Sequence, residues 1–158
     1  MKKVILLLFI SISSFSQCKL TFEESKIERT NTITYNNFWK MPLWFSATRS
    51  NKDTTYLLKF NLLFTEEDKP HKDTLDFKLL SVSDDVNILK CRVVLDYHGI
   101  YEWSCPITKQ DIAYFKKDIA YFKLAKTEYN VKTGTFKKFI PYIKEGVFCV
   151  INELNKKK

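Results

Sequence analysis

Reactive side chains are sparse in this chain of 158 residues: four cysteines, two histidines and a few clustered carboxylates. Zinc sites draw on closely spaced cysteine and histidine pairs, and no Cys-x-x-Cys or His-x-x-x-His pair occurs here. Cys91 and Cys105 instead flank a stretch, LKCRVVLDYHGIYEWSC, that reads as a β-hairpin. Its loop Tyr97-His98-Gly99 offers glycine for the left-handed position of a three-residue turn. Centring the turn on His98 pairs Leu95 with Tyr101, Val93 with Trp103 and Cys91 with Cys105. These six share one apolar face, because side chains alternate along a strand. Arg92, Asp96, Glu102 and Ser104 take the other face, with Val94 its one apolar member. The register makes Cys91 and Cys105 a candidate structural disulfide rather than a redox or metal pair. A bridge to Cys149 is the other candidate, and spacing alone leaves the connectivity open.

The remaining polar groups make weak catalytic candidates. There is no phosphate-cradling glycine loop and no G-x-S-x-G elbow. A Cys–His or Ser–His pair would have to use His71 or His98, both in loop positions. Glu66, Glu67 and Asp68 lack the alternate spacing and glycine of a calcium loop and read as a solvated turn. Asp84-Asp85 is a turn pair, and Asp96 with Glu102 fits surface charge pairing. No catalytic, metal or cofactor residue is assigned. Trp39 and Trp44 would stack on a sugar if a sheet exposed them. Aromatics of this size more often fill a small core, which is the preferred reading.

The first residues, MKKVILLLFISISSFSQ, carry two lysines, an apolar run from Val4 to Ile12 and a small-x-small site at Ser14-Phe15-Ser16. That is the form of a secretory signal over 1–16, with an apolar run too short for a bilayer span of ~20 residues. The mature chain would begin at Gln17. Cys18 raises lipoprotein processing as the lesser alternative, since Gln17 and Phe15 stand where that signal wants a small residue and leucine.

Losing 1–16 removes two lysines and no acid from a formal charge of +8, leaving +6. The excess is spread out, ends in Lys156-Lys157-Lys158 and reads as a solvated lysine-rich surface. No arginine-and-aromatic motif for specific nucleic-acid binding accompanies it. With 45% hydrophobic residues, three glycines and four prolines, residues 17–158 suit one domain with one core and a short basic tail. An oxidising compartment, periplasmic or extracellular, fits cysteines confined to the exported part.

Strands are expected over 32–38, 43–48, 54–64 and 74–82, continuing through the hairpin as an antiparallel meander. Nothing is expected of the stretch from Lys19 to Arg29. Thr108 and Asp111 form a capping-box start for a helix running through the tandem heptads DIAYFKK and DIAYFKL. Its stripe of Ile112, Phe115, Ile119 and Phe122 would cap the sheet. Strands over 127–132, 136–143 and 147–154, turned at Gly134 and Glu145-Gly146, would close the domain. The fold class is therefore α+β: a mostly antiparallel sheet with one packed amphipathic helix.

This order of strands, hairpin, Pro106-Ile107-Thr108 and Asp-Ile-Ala-Tyr-Phe resembles a group of small exported Bacteroidota domains of unknown function. The resemblance covers residues 56–138. It implies export and α+β architecture and carries no activity, ligand or site residue. Asp53-Thr54 and Asp73-Thr74 also resemble the O-glycosylation acceptor of Bacteroidota exported proteins, and a turn-to-strand junction explains them equally. The expected function is a non-catalytic binding or structural domain of the cell envelope, its partner an envelope protein or a glycan. The alternatives are a carboxylate-dependent hydrolase of an envelope or extracellular polymer, needing two carboxylates in one cleft, and retention of an anionic polymer by the basic surface.

Overall fold

Among the described residues, alternation of apolar and polar side chains builds nine strands, and apolar residues at helical spacing accompany two helices. The strands are β1 (Leu20–Ser25), β2 (Thr30–Asn36), β3 (Leu43–Arg49), β4 (Thr54–Leu62), β5 (Thr74–Ser81), β6 (Val86–Leu95), β7 (Tyr101–Ile107), β8 (Ile119–Leu124) and β9 (Thr127–Asn130). The helices are α1 (Lys109–Tyr114) and α2 (Phe139–Lys156). This computed structural model describes residues 18–36, 42–50, 53–62, 73–95, 100–124, 126–134 and 136–156. All strands join one antiparallel sheet in the order β1-β2-β3-β4-β7-β6-β5-β8-β9.

The central hairpin takes the expected register, with Leu95 opposite Tyr101 and Val93 opposite Trp103. Cys91 and Cys105 follow on the same side, their sulfurs bonded at 2.04 Å. Cys91, Val93, Tyr101, Trp103 and Cys105 are buried, while Arg92 and Val94 are exposed. The turn residues Tyr97, His98 and Gly99 lie outside the described residues.

The meander is interrupted. β1 to β4 are sequential neighbours, but β4 then pairs with β7 rather than β5. Three strands joined in sequence, with a fourth returning beside the first of them, give a Greek-key arrangement. The pairing sets Phe60 directly opposite Trp103, with the two rings stacked at 5.6 Å. Such contacts between strands distant in sequence are what alternation alone does not specify.

The expected long helix is two different elements. Thr108 and Asp111 do form the capping box, and α1 runs for one and a half turns before ending at Tyr114. The second heptad becomes β8, antiparallel to β5. It has no such cap in front of it, and Ile, Tyr and Phe suit a strand that can pair with an open sheet edge. Ile119 and Phe122, three apart, would face opposite ways in a regular strand. A register shift at Leu80/Ser81 turns both inward, and both are buried.

The two strands expected over 136–143 and 147–154 are instead the single helix α2. Its buried residues Phe139, Ile140, Ile143, Gly146, Val147 and Val150 recur at helical spacing. Pro141 sits in the first turn, where its missing N–H breaks no helical bond. The packed helix of the α+β fold is therefore α2. A second disulfide, Cys18–Cys149 at 2.02 Å, ties it to the segment leading into β1.

Phe60 of β4 and Phe77 of β5 reveal how one helix covers so many strands. These strands stand three places apart, about 14 Å along a flat sheet at the usual spacing. Their ring centroids are only 5.6 Å apart. The sheet must curl so that its inner side chains converge. Phe139 stands at the focus, 5.0 Å from Phe60, 5.9 Å from Phe77 and 5.1 Å from Phe122.

Candidate functional site

Curling leaves the sheet a concave face filled by the core and a convex face turned outward. On β3, Leu43, Phe45 and Ala47 are fully buried, so by alternation Trp44, Ser46 and Thr48 point the other way. Trp44 is half-buried and stands outside the core, contrary to the reading that placed it there. The period-two pattern of residues 43–48 already carried this signal. Trp39 lies outside the described residues.

The register places a row of side chains straight across the convex face. Asn36 is opposite Trp44, Trp44 opposite Lys59, Lys59 opposite Ser104, and Ser104 opposite Arg92. Directly opposed residues lie about 5 Å apart, so this row of one aromatic, one amide, two cations and a hydroxyl spans about 20 Å. Beside it run Asn61, Glu102 and Val94. Lys59 Nζ meets Glu102 Oε1 at 3.2 Å, with about two-fifths of each side chain exposed. An open pair of this kind contributes little stability, roughly 0–1 kcal/mol. The Oδ1 atoms of Asn36 and Asn61 are buried and accept no hydrogen bond among the described residues. A buried acceptor left without a donor costs about 1–3 kcal/mol. The two asparagines lie on β2 and β4, the strands that flank Trp44.

The other candidate residues are placed as follows. Cys91 and Cys105 form an internal cross-link on the buried face. The Cys18 sulfur is bonded to Cys149. Glu102 faces Lys59, while Asp96, His71, His98, Glu66, Glu67 and Asp68 lie outside the described residues. Asp85 bonds Lys117 at 2.6 Å, and that lysine with Ser83 holds its carboxyl below the usual aspartate range. Asp76 is lowered likewise by its hydrogen bond from Lys90. Both are charge pairs on the surface. Among the described residues no group of three or more His, Cys, Asp or Glu is placed to hold a metal ion. Nor is any helix among them long and apolar enough to cross a membrane.

A feature the sequence reading missed is a cleft of about 560 Å³ between the β1–β3 end of the sheet and the last turns of α2. It was missed because β1 itself was. Glu23-Glu24 and Thr21 break the apolar alternation that marks the inner strands, as suits an edge strand.

Comparison with known protein families, with curated proteins and with solved structures finds no match for this chain. Fold and site together define an α+β protein with a curled nine-stranded sheet, two disulfides and a tryptophan-centred polar row on the face of the sheet opposite the core.

Proposed function

We propose that the protein is an exported, non-catalytic binding domain of the cell envelope that takes a glycan on the convex row around Trp44. The observation that carries this reading is the outward placement of Trp44 between Asn36 and Lys59. A sugar ring presents an apolar C–H face to an indole and hydroxyls to amides, ammonium and carboxylate groups. The row supplies the indole, the amide and the ammonium in one line, with the Glu102 carboxylate beside it. Export is supported by the signal-like segment over 1–16 and by the engagement of all four cysteines in disulfides, bonds that persist in oxidising compartments. Lipid anchoring would need the Cys18 sulfur for a thioether, and one sulfur cannot also be half of a disulfide. The soluble route, beginning at Gln17, is therefore preferred, with resemblance to exported Bacteroidota domains in its favour.

The test is binding of purified, oxidised protein to peptidoglycan and to soluble envelope polysaccharides, followed by tryptophan fluorescence. Wild-type protein should be retained, and Trp44→Ala should weaken retention about tenfold or more, in line with roughly 1–3 kcal/mol for a stacked aromatic. Retention by none of these polymers, or retention unchanged in Trp44→Ala, overturns the reading. Protein exported with its own leader should also weigh as a chain starting at Gln17 with both disulfides closed. A diacylglyceryl addition on Cys18 would overturn the soluble route.

A further inference from the structure

The cleft beside β1 lies on the opposite face of the sheet from the Trp44 row. Its walls are strands β1 to β3 on one side and Leu154 of α2 on the other. In register, Phe22 faces Ile33 across β1 and β2, and one pair further Glu24 faces Asn31, which in turn faces Arg49 of β3. Opposed residues share a face. Ile33 is buried on the helix side, so Phe22, Glu24, Asn31 and Arg49 all line that side. The cleft thus has an apolar end of Phe22, Ile33 and Leu154 and a polar end where Glu24, Asn31 and Arg49 stand in a row, with Glu23 and Thr32 completing the lining.

The two charges do not satisfy each other. Among the described residues neither Glu24 nor Arg49 forms an ion pair, and the Asn31 side chain has no hydrogen-bond partner. Their strands lie on either side of β2, about 10 Å apart. A carboxylate attracts an ammonium, and a guanidinium forks onto a carboxylate. With an amide donor and acceptor between them, the row is complementary to a molecule carrying both charges a few ångströms apart.

We infer that this cleft binds a zwitterion of the α-amino-acid or dipeptide class with an apolar side chain. Its ammonium lies on Glu24, its carboxylate on Arg49, its amide or α-carbon beside Asn31, and its side chain between Phe22 and Leu154. The site is independent of the glycan row. The Cys18–Cys149 bond, two residues before β1 and five before Leu154, holds the two walls at a fixed separation.

The experiment titrates L-leucine and L-leucyl-L-leucine into the oxidised full-length mature protein, followed by amide chemical shifts and calorimetry. Leucinamide, which lacks the carboxylate, and 4-methylpentanoate, which lacks the ammonium, are run alongside. At least one zwitterion should saturate, with shifts concentrated in β1 and β2. Each single-charge analogue should bind about tenfold or more weakly. Glu24→Gln and Arg49→Gln should each weaken the zwitterion about tenfold and narrow its advantage over the analogue lacking the matching charge. Glu28→Gln, in the turn between β1 and β2 and outside the cleft lining, should stay within about twofold. Both sensitive positions are exposed, so their variants should keep the wild-type spectrum elsewhere. Absence of saturation by both zwitterions, equal affinity for the analogues, or loss at Glu28 in place of Glu24 overturns the inference. Trp44→Ala should leave this binding unchanged, so failure of the glycan reading and failure of this one are told apart.

Discussion

A methyl group on Gly146 would lie 2.7 Å from Cδ1 of Tyr35 and 3.2 Å from Cβ of Phe45. The backbone of α2 touches the sheet there, and only a residue without Cβ permits the approach. Alanine would otherwise favour the helix by up to about 1 kcal/mol. Overpacking of a filled core opposes it by about 1–3 kcal/mol. Gly146→Ala should therefore destabilise by up to about 2 kcal/mol, read as a lower urea midpoint at unchanged slope. A raised midpoint would show that the helix is free to lift off β2 and β3. The same residue shows where sequence reading stops. Thr108 and Asp111 were legible as a cap because both halves of that interaction lie within four positions. Gly146 read as a turn because the ring that demands glycine belongs to Tyr35, far away in the chain.

Elements were legible where their pattern was one-sided and local. β2 to β7 came through as strands, and β4 to β7 with their inward residues assigned, since alternation of large apolar and polar groups has one physical outcome, while Trp44 of β3, expected inward, points out. The tandem heptads did not, because Ile-Ala-Tyr-Phe suits a helix behind a cap and a strand beside an open edge. Residues 139–156 failed for a similar reason: Val147, Cys149 and Ile151 alternate, while Phe139, Ile143, Val147 and Val150 recur at helical spacing. β1 was invisible, and its position depends on β2 along one side and on the cross-link to α2. That bond closes a separation of 131 residues, for which loop-closure entropy lost from the unfolded chain predicts about 5 kcal/mol. Removal of a native disulfide from a small domain commonly costs about 2–5 kcal/mol. The double variant Cys18→Ala with Cys149→Ala should lose stability in that range. Its β1 amides should exchange with solvent well before those of β3. An unchanged midpoint with full protection of β1 would mean that pairing with β2 alone holds the edge.

At the scale of the molecule, the curl of the sheet decides which surfaces exist. A flat sheet of nine strands would leave most of its inner face beyond the reach of one helix. The curled sheet instead brings β4, β5 and β8 to a common centre, where Phe139 contacts Phe60, Phe77 and Phe122. Curl cannot be read from alternation, which says which way a side chain points and nothing about how far away its neighbours converge. It also separates the two candidate sites, the Trp44 row on the convex face and the amphipathic cleft under the concave rim. The Phe139 ring is fully buried. Truncating such a ring removes its transfer energy and leaves a cavity that the walls fill only in part, together about 3–5 kcal/mol. Both halves of the sheet lean on this ring, so Phe139→Ala should loosen them together. Amides of β4 and β8 should lose comparable protection in native-state hydrogen exchange, and unfolding by urea should keep a single transition. If β8 opened while β4 kept its protection, the two halves would be separate cooperative units. The helix would then be a cover laid on the sheet rather than the centre around which it curls.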